Sequence, residues 1–360
     1  MWRKIFRVLG FLMGWSVVFA YIWYASRLTQ AYQAKQRVSD VVITISEGGD
    51  TRQFSTSERI GMQMKRGGFD MSNKLVDSVD AVKIAEYIAR NGYVKDVDVY
   101  ITYSGTLHID VTQHEPVMRL MCGGLNSYIT KEGDIFRSPQ GASYYLPVVT
   151  GSYKPLFAST YEGTTEEHLA SLMKVEDDKL AKLGAEFAEL RHERSECMNR
   201  KNDLRKSKRK KFLESKTSWE QRCVAIALDM EKCNKELKQL ALKRTQLEAR
   251  RSLIDVRKKK LQKSYDDFAN LTTFVSSICE DSFWGAEVVQ FVADTTSLGA
   301  ISLRLVPRSG DFIIEFGTID NGAEKLAKLE HFYEAGLSHI GWDKYRVVDV
   351  RYNKQVICTE

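Results

Sequence analysis

The chain of 360 residues is long enough for two or three domains. Its five prolines argue against long disordered linkers, and its six cysteines show neither a CxxC pair nor a regular spacing, so the sequence indicates neither a zinc site nor a dense disulfide framework. The net charge of +6 is unevenly distributed. Residues 166–263 carry the excess of Lys and Arg, whereas the rest of the chain is mildly acidic.

An uncharged apolar run, residues 8–25, follows three basic residues near the start of the chain. An α-helix rises about 1.5 Å per residue, so roughly 18–20 such residues cross a bilayer core. The run predicts a transmembrane helix over residues 8–26, and the positive-inside tendency predicts a cytoplasmic tail over residues 1–7 with the remainder exported. A cleaved signal peptide is the alternative, although aromatic residues crowd the place where a cleavage site prefers small ones.

Residues 36–116 have the pattern of a compact α+β domain. Val41–Ser46 alternates branched apolar residues with others and predicts a strand. A short helix capped by Ser55 or Thr56 follows, and then a clearer helix capped by Asp80. The domain is expected to end in a hairpin of two alternating strands, Val94–Tyr103 and Thr106–Pro116.

Residues 117–163 predict further short strands, and residues 164–268 form a basic helical insert. Two heptad patterns, Leu180–Leu204 and Met230–Phe268, predict a coiled coil. A break near Ser215–Ser218 would fold the insert into an antiparallel hairpin. One continuous rod is the alternative.

The tip of the insert is strongly basic. Contact with anionic phospholipid headgroups or with an acidic partner is one interpretation, and a solvated helix face is the other. The residues concerned are Arg205, Lys206, Lys208, Arg209, Lys210 and Lys211.

Residues 269–360 predict a second α+β region. Three alternating strands precede an amphipathic helix over Gly322–Ala335. A strand over Tyr345–Tyr352, a turn at Asn353-Lys354 and a short last strand over Gln355–Cys358 follow. A short terminal strand offers free backbone groups to an extended partner.

No catalytic constellation is apparent. The six histidines form no HExxH motif or close two-ligand spacing, and neither GxSxG nor a phosphate-binding loop occurs. Asp110 and Glu115 are the best candidates for an acid/base pair. Asp110 lies in a predicted strand and Glu115 precedes a proline, however, so both are better interpreted as surface residues. The sequence therefore predicts a binding protein that is not an enzyme and needs no cofactor.

Four separated stretches occur in an order that resembles FtsQ/DivIB-type bacterial cell-division proteins. They are NGYVKDVDVYITYSGTLHIDVTQHEPVMRL, SYITKEGDIF, LVPRSGDFIIEFG and VVDVRYNKQVIC. The first is similar to the POTRA domain of that family and the last two to its C-terminal β domain; His114 stands where the family usually has a basic residue. The resemblance does not extend to the insert.

The resemblance implies a fold, partners and contact residues. The fold is a single-pass membrane protein with an α+β POTRA domain, a coiled-coil hairpin insert and a C-terminal α+β domain with an antiparallel sheet. FtsQ-type proteins bind the FtsB–FtsL pair through the last strands of the β domain. Arg351 and Tyr352 match the Arg-Tyr of the corresponding motif, and Asn353, Gln355 and Val356 are weaker candidates.

The resulting hypothesis is a divisome scaffold that links early and late division proteins and regulates septal peptidoglycan synthesis. It would lie in the inner membrane at the septum with its bulk in the periplasm, and the POTRA domain would contact other divisome proteins. Neither nucleic acid nor a small-molecule substrate is expected. The alternative is a POTRA-containing adaptor for envelope protein transport or assembly.

Overall fold

A computed structural model describes residues 13–27, 36–46, 56–71, 73–137, 146–297, 299–342 and 344–360. The predicted tail, residues 1–7, and the candidate cap Ser55 lie outside these residues. The chain forms two compact units. The globular unit comprises residues 1–154, 158–163 and 272–360, and the hairpin unit comprises residues 155–157 and 164–271.

The transmembrane helix predicted over residues 8–26 is not borne out. Residues 13–27 are helical, and residues 8–12 of the predicted span lie outside the described residues. Among the described residues, no helix combines the length and the apolar character needed to cross a membrane. This finding contradicts the predicted single-pass membrane fold. It also contradicts the predicted inner-membrane location at the septum, with a cytoplasmic tail and a periplasmic bulk.

The first domain of the globular unit has the predicted order strand, helix, helix, strand, strand. Its elements are β1 (Asp40–Ser46), α1 (Ser57–Arg66), α2 (Ala81–Ala89), β2 (Val94–Ile101) and β3 (Thr106–Gln113), with a 3₁₀ turn at Val76–Ser78. The sheet order is β1-β3-β2, in which β1 is parallel and β2 antiparallel to β3.

Side-chain caps fix where the two helices of this domain begin. The Thr56 hydroxyl accepts a hydrogen bond from the Arg59 amide at 3.4 Å, and the Asp80 carboxylate accepts one from the Lys83 amide at 3.1 Å. Each cap satisfies an amide that has no partner within the helix. The apolar faces of both helices pack on the sheet in one core, which includes Ile60, Met64, Ile84, Ile88, Leu107, Ile109 and Val111.

The rest of the globular unit is built on a ten-stranded sheet. Its strands are β4 (Pro116–Leu120), β5 (Ser127–Thr130), β6 (Asp134–Phe136), β7 (Val148–Thr150), β8 (Gly163–Thr164), β9 (Val288–Thr295), β10 (Ile301–Pro307), β11 (Ile313–Gly317), β12 (Val347–Asp349) and β13 (Ile357–Thr359). Their order is β13-β12-β11-β10-β9-β7-β4-β5-β6-β8. The last strand in the sequence, β13, therefore forms one edge of the sheet.

The remaining helices lie between these strands. They are α3 (Thr165–Ser207), α4 (Lys216–Glu280), α5 (Trp284–Glu287), α6 (Gly322–Phe332) and α7 (Ser338–Ile340), with a π-helical turn at Tyr333–Leu337. The end of α4 belongs to the globular unit, where the Phe274 ring lies 5.1 Å from that of Phe316 on β11. Phe316, Leu303 and Val348 are buried on this covered face of the sheet.

The sheet is mixed, whereas the sequence predicted an antiparallel one. β7 is parallel to both β4 and β9, and β11 is parallel to β12. Parallel neighbours need a long crossover connection. Between β11 and β12 that connection consists of α6, the π-helical turn and α7, and between β7 and β9 it contains the long helices α3 and α4. The alternation of apolar residues in single strands carries no information about these pairings.

The hairpin unit consists of α3 and most of α4, which run antiparallel. Three ion pairs join the two arms, and the later the residue in α3, the earlier its partner in α4. They are Glu176–Arg257 (3.7 Å), Glu186–Arg250 (3.8 Å) and Arg200–Glu236 (2.8 Å). Leu183, Leu190 and Leu247 form the buried seam. The chain reverses direction over residues 208–215, slightly before the predicted break, so the continuous rod is excluded.

Candidate binding surface at the edge of the sheet

The orientation of β12 follows from its hydrogen bonds with β11. The Ile313 amide donates to the Arg346 carbonyl at 2.9 Å, and the Val350 amide donates to the Glu315 carbonyl at 3.1 Å. Main-chain groups of successive residues point to opposite sides of a strand. Even-numbered residues of β12 therefore face β11, and odd-numbered residues face β13.

The same alternation determines which backbone groups of β13 are available. Val347 and Asp349 of β12 lie opposite Thr359 and Ile357, and the Arg346 amide donates to the Thr359 carbonyl at 2.8 Å. By the alternation of backbone groups along a strand, those of Ile357 and Thr359 face β12. The amide and carbonyl of Cys358, between them, point to the other side. Among the described residues no further strand lies there, and β13 presents a free backbone edge.

The five predicted contact residues lie in the loop that joins β12 to β13. The strand predicted to reach Tyr352 ends at Asp349, and the predicted turn is present, with Lys354 in the left-handed conformation at φ 58°. The five residues in this loop are Arg351, Tyr352, Asn353, Gln355 and Val356.

Asp349 explains why β12 stops early and holds Arg351 in place. Its carboxylate accepts hydrogen bonds at 3.0 Å from both the amide and Nε of Arg351. These bonds hold the pKa of the Asp349 carboxyl below its usual range. Gly317 lets the two come together, because a Cβ at that position would lie 2.8 Å from Arg351 Cγ.

Lys328 of α6 secures the start of the same loop. Its ammonium donates to the Val350 carbonyl at 2.7 Å and also to the Tyr352 carbonyl. Burial lowers the pKa of Lys328, while the nearby Asp349 opposes that shift. Both contacts hold the backbone rather than side chains, so the Tyr352 ring is left to project.

Exposed apolar side chains accompany the free edge. Tyr352 is 48% exposed, and Ile357 and Ile313 are also exposed. Ile313 is opposite Val347, and Ile357 is opposite Asp349, two residues further along β12. Since residues two apart share a face, Ile313 and Ile357 lie on the same face of the sheet. The surface thus combines backbone hydrogen-bonding groups, apolar contacts and an oriented guanidinium.

The six predicted tip residues lie at the far end of the hairpin unit. Arg205 and Lys206 occupy the last turn of α3, and Lys208, Arg209, Lys210 and Lys211 follow in the reversal. All six side chains are exposed.

A cluster of possible metal ligands was missed by sequence reasoning. Donor atoms of Cys197, Cys233 and Glu236 all lie within 4.8 Å of one another. Arg200 donates to the Glu236 carboxylate at 2.8 Å, and burial raises the pKa of Cys197. A thiophilic metal would have to displace both the proton and Arg200, so the cluster has the character of a packed polar layer. The heptad register, which puts both cysteines on the seam, is the signal that could have found it.

Two family models match the chain. A POTRA-like domain matches residues 36–112, and the family described as FtsQ/DivIB, C-terminal related, matches residues 234–359. The second match begins inside α4, so it includes part of the insert, to which the resemblance of the sequence motifs did not extend. No curated protein matches the chain significantly. The two matches support an FtsQ/DivIB-type protein, with a POTRA-like domain followed by a C-terminal domain related to that of FtsQ/DivIB.

Proposed function

We propose that the chain is a non-enzymatic division scaffold that binds an extended partner segment at the free edge of β13. Domains of the FtsQ/DivIB and POTRA types are typically non-catalytic, and they indicate a division-related scaffold role with divisome proteins as partners. The observation that carries the proposal is the position of β13 at the edge of the sheet, which leaves the amide and carbonyl of Cys358 on its open side, together with the exposed ring of Tyr352 in the loop that leads into β13.

The partner would add to the sheet as one more strand. Main-chain hydrogen bonds to Cys358 supply affinity in this mode, and side chains that flank the edge supply specificity. Tyr352 and Arg351 belong to the residue types that most often dominate interface energies. FtsB/FtsL-like proteins are the proposed partners, and regulation of septal peptidoglycan synthesis would pass through this contact.

Two substitutions at Cys358 separate the backbone from the side chain. Cys358→Pro removes the amide on the open side without touching the bonds that Ile357 and Thr359 make with β12, and proline is tolerated at sheet edges. Cys358→Ala keeps the amide and removes only the thiol. In titrations of the full chain with FtsB/FtsL-like proteins, we expect the proline variant to bind about tenfold or more weakly and the alanine variant to bind as the parent does.

Tyr352→Ala tests the side-chain contribution in the same titration. Its ring is half exposed and its backbone is held by Lys328, so the fold should keep its thermal midpoint while affinity falls about tenfold. Unchanged affinity in both Cys358→Pro and Tyr352→Ala, with both variants folded, would contradict the proposed surface. Selective capture of outer-membrane barrel proteins instead would favour the transport-adaptor alternative.

A further inference from the structure

The tip of the hairpin unit carries two apolar side chains that contact almost nothing. Phe212 is 101% exposed and Leu213 is 94% exposed. A single exposed apolar residue is ordinary on a protein surface. Phe212 and Leu213 are adjacent, both are large, and both lie at the apex of the reversal. They directly follow Lys210 and Lys211, so the apex combines an exposed apolar pair with neighbouring cations.

Side chains of α4 stabilise the reversal by donating hydrogen bonds to its backbone carbonyls. Arg222 of α4 donates to the Arg209 carbonyl at 3.1 Å and to the Glu214 carboxylate at 2.8 Å, and it also donates to the Ser207 carbonyl. The Trp219 indole donates to the Lys208 carbonyl at 3.1 Å. These bonds use main-chain oxygens of the basic residues and leave their side chains free to project.

Glu214 closes the turn from the other side. Its carboxylate accepts from the Lys211 amide at 3.1 Å as well as from Arg222. These bonds, with that of Arg222 first, lower the pKa of Glu214 to about 2. The one acidic side chain between residues 205 and 215 is therefore held within the turn, and its charge acts mainly on Arg222, with a smaller effect on Lys211.

The cations of the tip remain unpaired apart from one weak contact. Lys206 lies 3.6 Å from Asp203 on its own helix. Within the described residues, Lys208, Arg209, Lys210 and Lys211 make no ion pair. A solvated helix face would explain these charges, but it would not explain the exposed Phe and Leu at the apex.

We infer that the tip of the hairpin unit binds an anionic lipid surface, with Phe212 and Leu213 inserted among the acyl chains and the basic side chains at the headgroups. Clustered Lys and Arg are attracted to anionic headgroups within a Debye length. Apolar side chains that enter the interface add a contact that salt does not screen. The contact is peripheral and involves only the turn.

A tryptophan introduced at the apex reports membrane contact at that position. Phe212→Trp preserves an apolar aromatic side chain in an exposed position, so it removes no packing. Leu253→Trp is the matched control, because Leu253 is 71% exposed on the arm and far along α4 from the turn. Full-length protein is mixed with vesicles of phosphatidylcholine and phosphatidylglycerol in equal parts, whose acyl chains are brominated to quench tryptophan. The parent signal, with six tryptophans, is subtracted from each variant.

We expect the tryptophan at position 212 to be quenched about twofold more than that at position 253 on the anionic vesicles, and neither to be quenched on pure phosphatidylcholine. Reversing Lys208, Arg209, Lys210 and Lys211 to Glu in the Phe212→Trp background should lower apparent vesicle affinity by more than about tenfold. Circular dichroism checks that helicity is retained. Contact of vesicles elsewhere on the chain does not enter this readout.

Equal quenching at positions 212 and 253 would overturn the inference, as would equal quenching on neutral and anionic vesicles. A tryptophan at 212 that ignores vesicles but changes its emission with a polyglutamate peptide would assign the tip to an acidic protein segment instead. Quenching at 212 that survives the charge reversal would remove the basic residues from the mechanism.

Discussion

His114 is the residue whose surroundings differ most from what the family resemblance implies. It follows β3 where a basic residue is usual, yet its ring stacks on Phe136 at 5.2 Å and its side chain is only 15% exposed. Its Nδ1 lies 3.3 Å from the Asp134 carboxylate without a hydrogen bond between them. Burial lowers the pKa of His114, against the opposing effect of Asp134. The position has thus become a packed neutral ring between the two domains of the globular unit.

This burial predicts a loss of stability in mild acid. A lowered pKa in the folded state means that the unfolded chain takes up the proton first, so stability should fall as the pH drops below about 6.5. Urea unfolding at about pH 7.5 and about pH 5.5 measures the change. Lys95 and Glu132 also act on the ring, with opposite signs.

His114→Gln should flatten that pH dependence, whereas His192→Gln should leave it as in the parent. His192 is 76% exposed on α3 and serves as the matched control. An identical pH slope in parent and His114→Gln would show that other groups cause the acid sensitivity.

At the scale of elements, local sequence patterns predicted the helix caps and the buried faces of the helices. Asp80 caps its helix as expected, and the heptads place Leu183, Leu190 and Leu247 on the buried seam. Specific side-chain contacts were missed. The Asp349–Arg351 bond ends β12 early, and the approach of Cys197 to Cys233 depends on the register of two arms. The alternation along β12 does not show where a side-chain contact interrupts it. The heptads place each cysteine on the seam but do not show which residue of the other arm it meets.

Gly317 links the end of β11 to the proposed binding surface. It has φ 75°, and Arg351 occupies the space that a Cβ would need. Gly317→Ala should therefore cost about 1–2 kcal/mol from backbone strain, with a further loss from the clash, and it should move Arg351 away from Asp349. Thermal unfolding and partner titration measure the two effects.

Gly299→Ala is the matched control for that variant. Gly299 has φ 80°, and a Cβ at this position would meet nothing within 4 Å, so the substitution incurs only the backbone cost. We expect the smaller destabilisation from Gly299→Ala and no change in partner affinity. Equal destabilisation by both substitutions would show that Arg351 gives way without cost.

At the scale of the whole molecule, the hairpin unit is expected to be separable from the globular unit. It has its own seam of leucines and its own ion pairs between arms. Replacing residues 166–263 by a short Gly-Ser linker should leave one cooperative thermal transition for the globular unit. Phe274, Val275 and Ile278 remain in this variant, and all three are buried.

Extending the deletion to residue 280 provides the contrast. It removes those three buried side chains, each worth about 1.5–3 kcal/mol, and should abolish the cooperative transition. If the shorter deletion already aggregates or melts without cooperativity, the hairpin unit is required for the fold of the rest.

The parallel pairing of β7 with β9 has a consequence for the rate of folding. Val148 lies beside Gln290 and Thr150 beside Val292, so the two strands must meet across a very long intervening segment. Closing such a loop costs about 0.6 kcal/mol more for each doubling of its length. Zipping of α3 onto α4 proceeds by local steps and brings the ends of that segment together, which leaves only a short effective loop to close. Adding or removing the same number of helical turns in both arms would not change the free-energy cost of closing this shorter loop. The length of the hairpin can therefore vary widely without slowing assembly of the sheet.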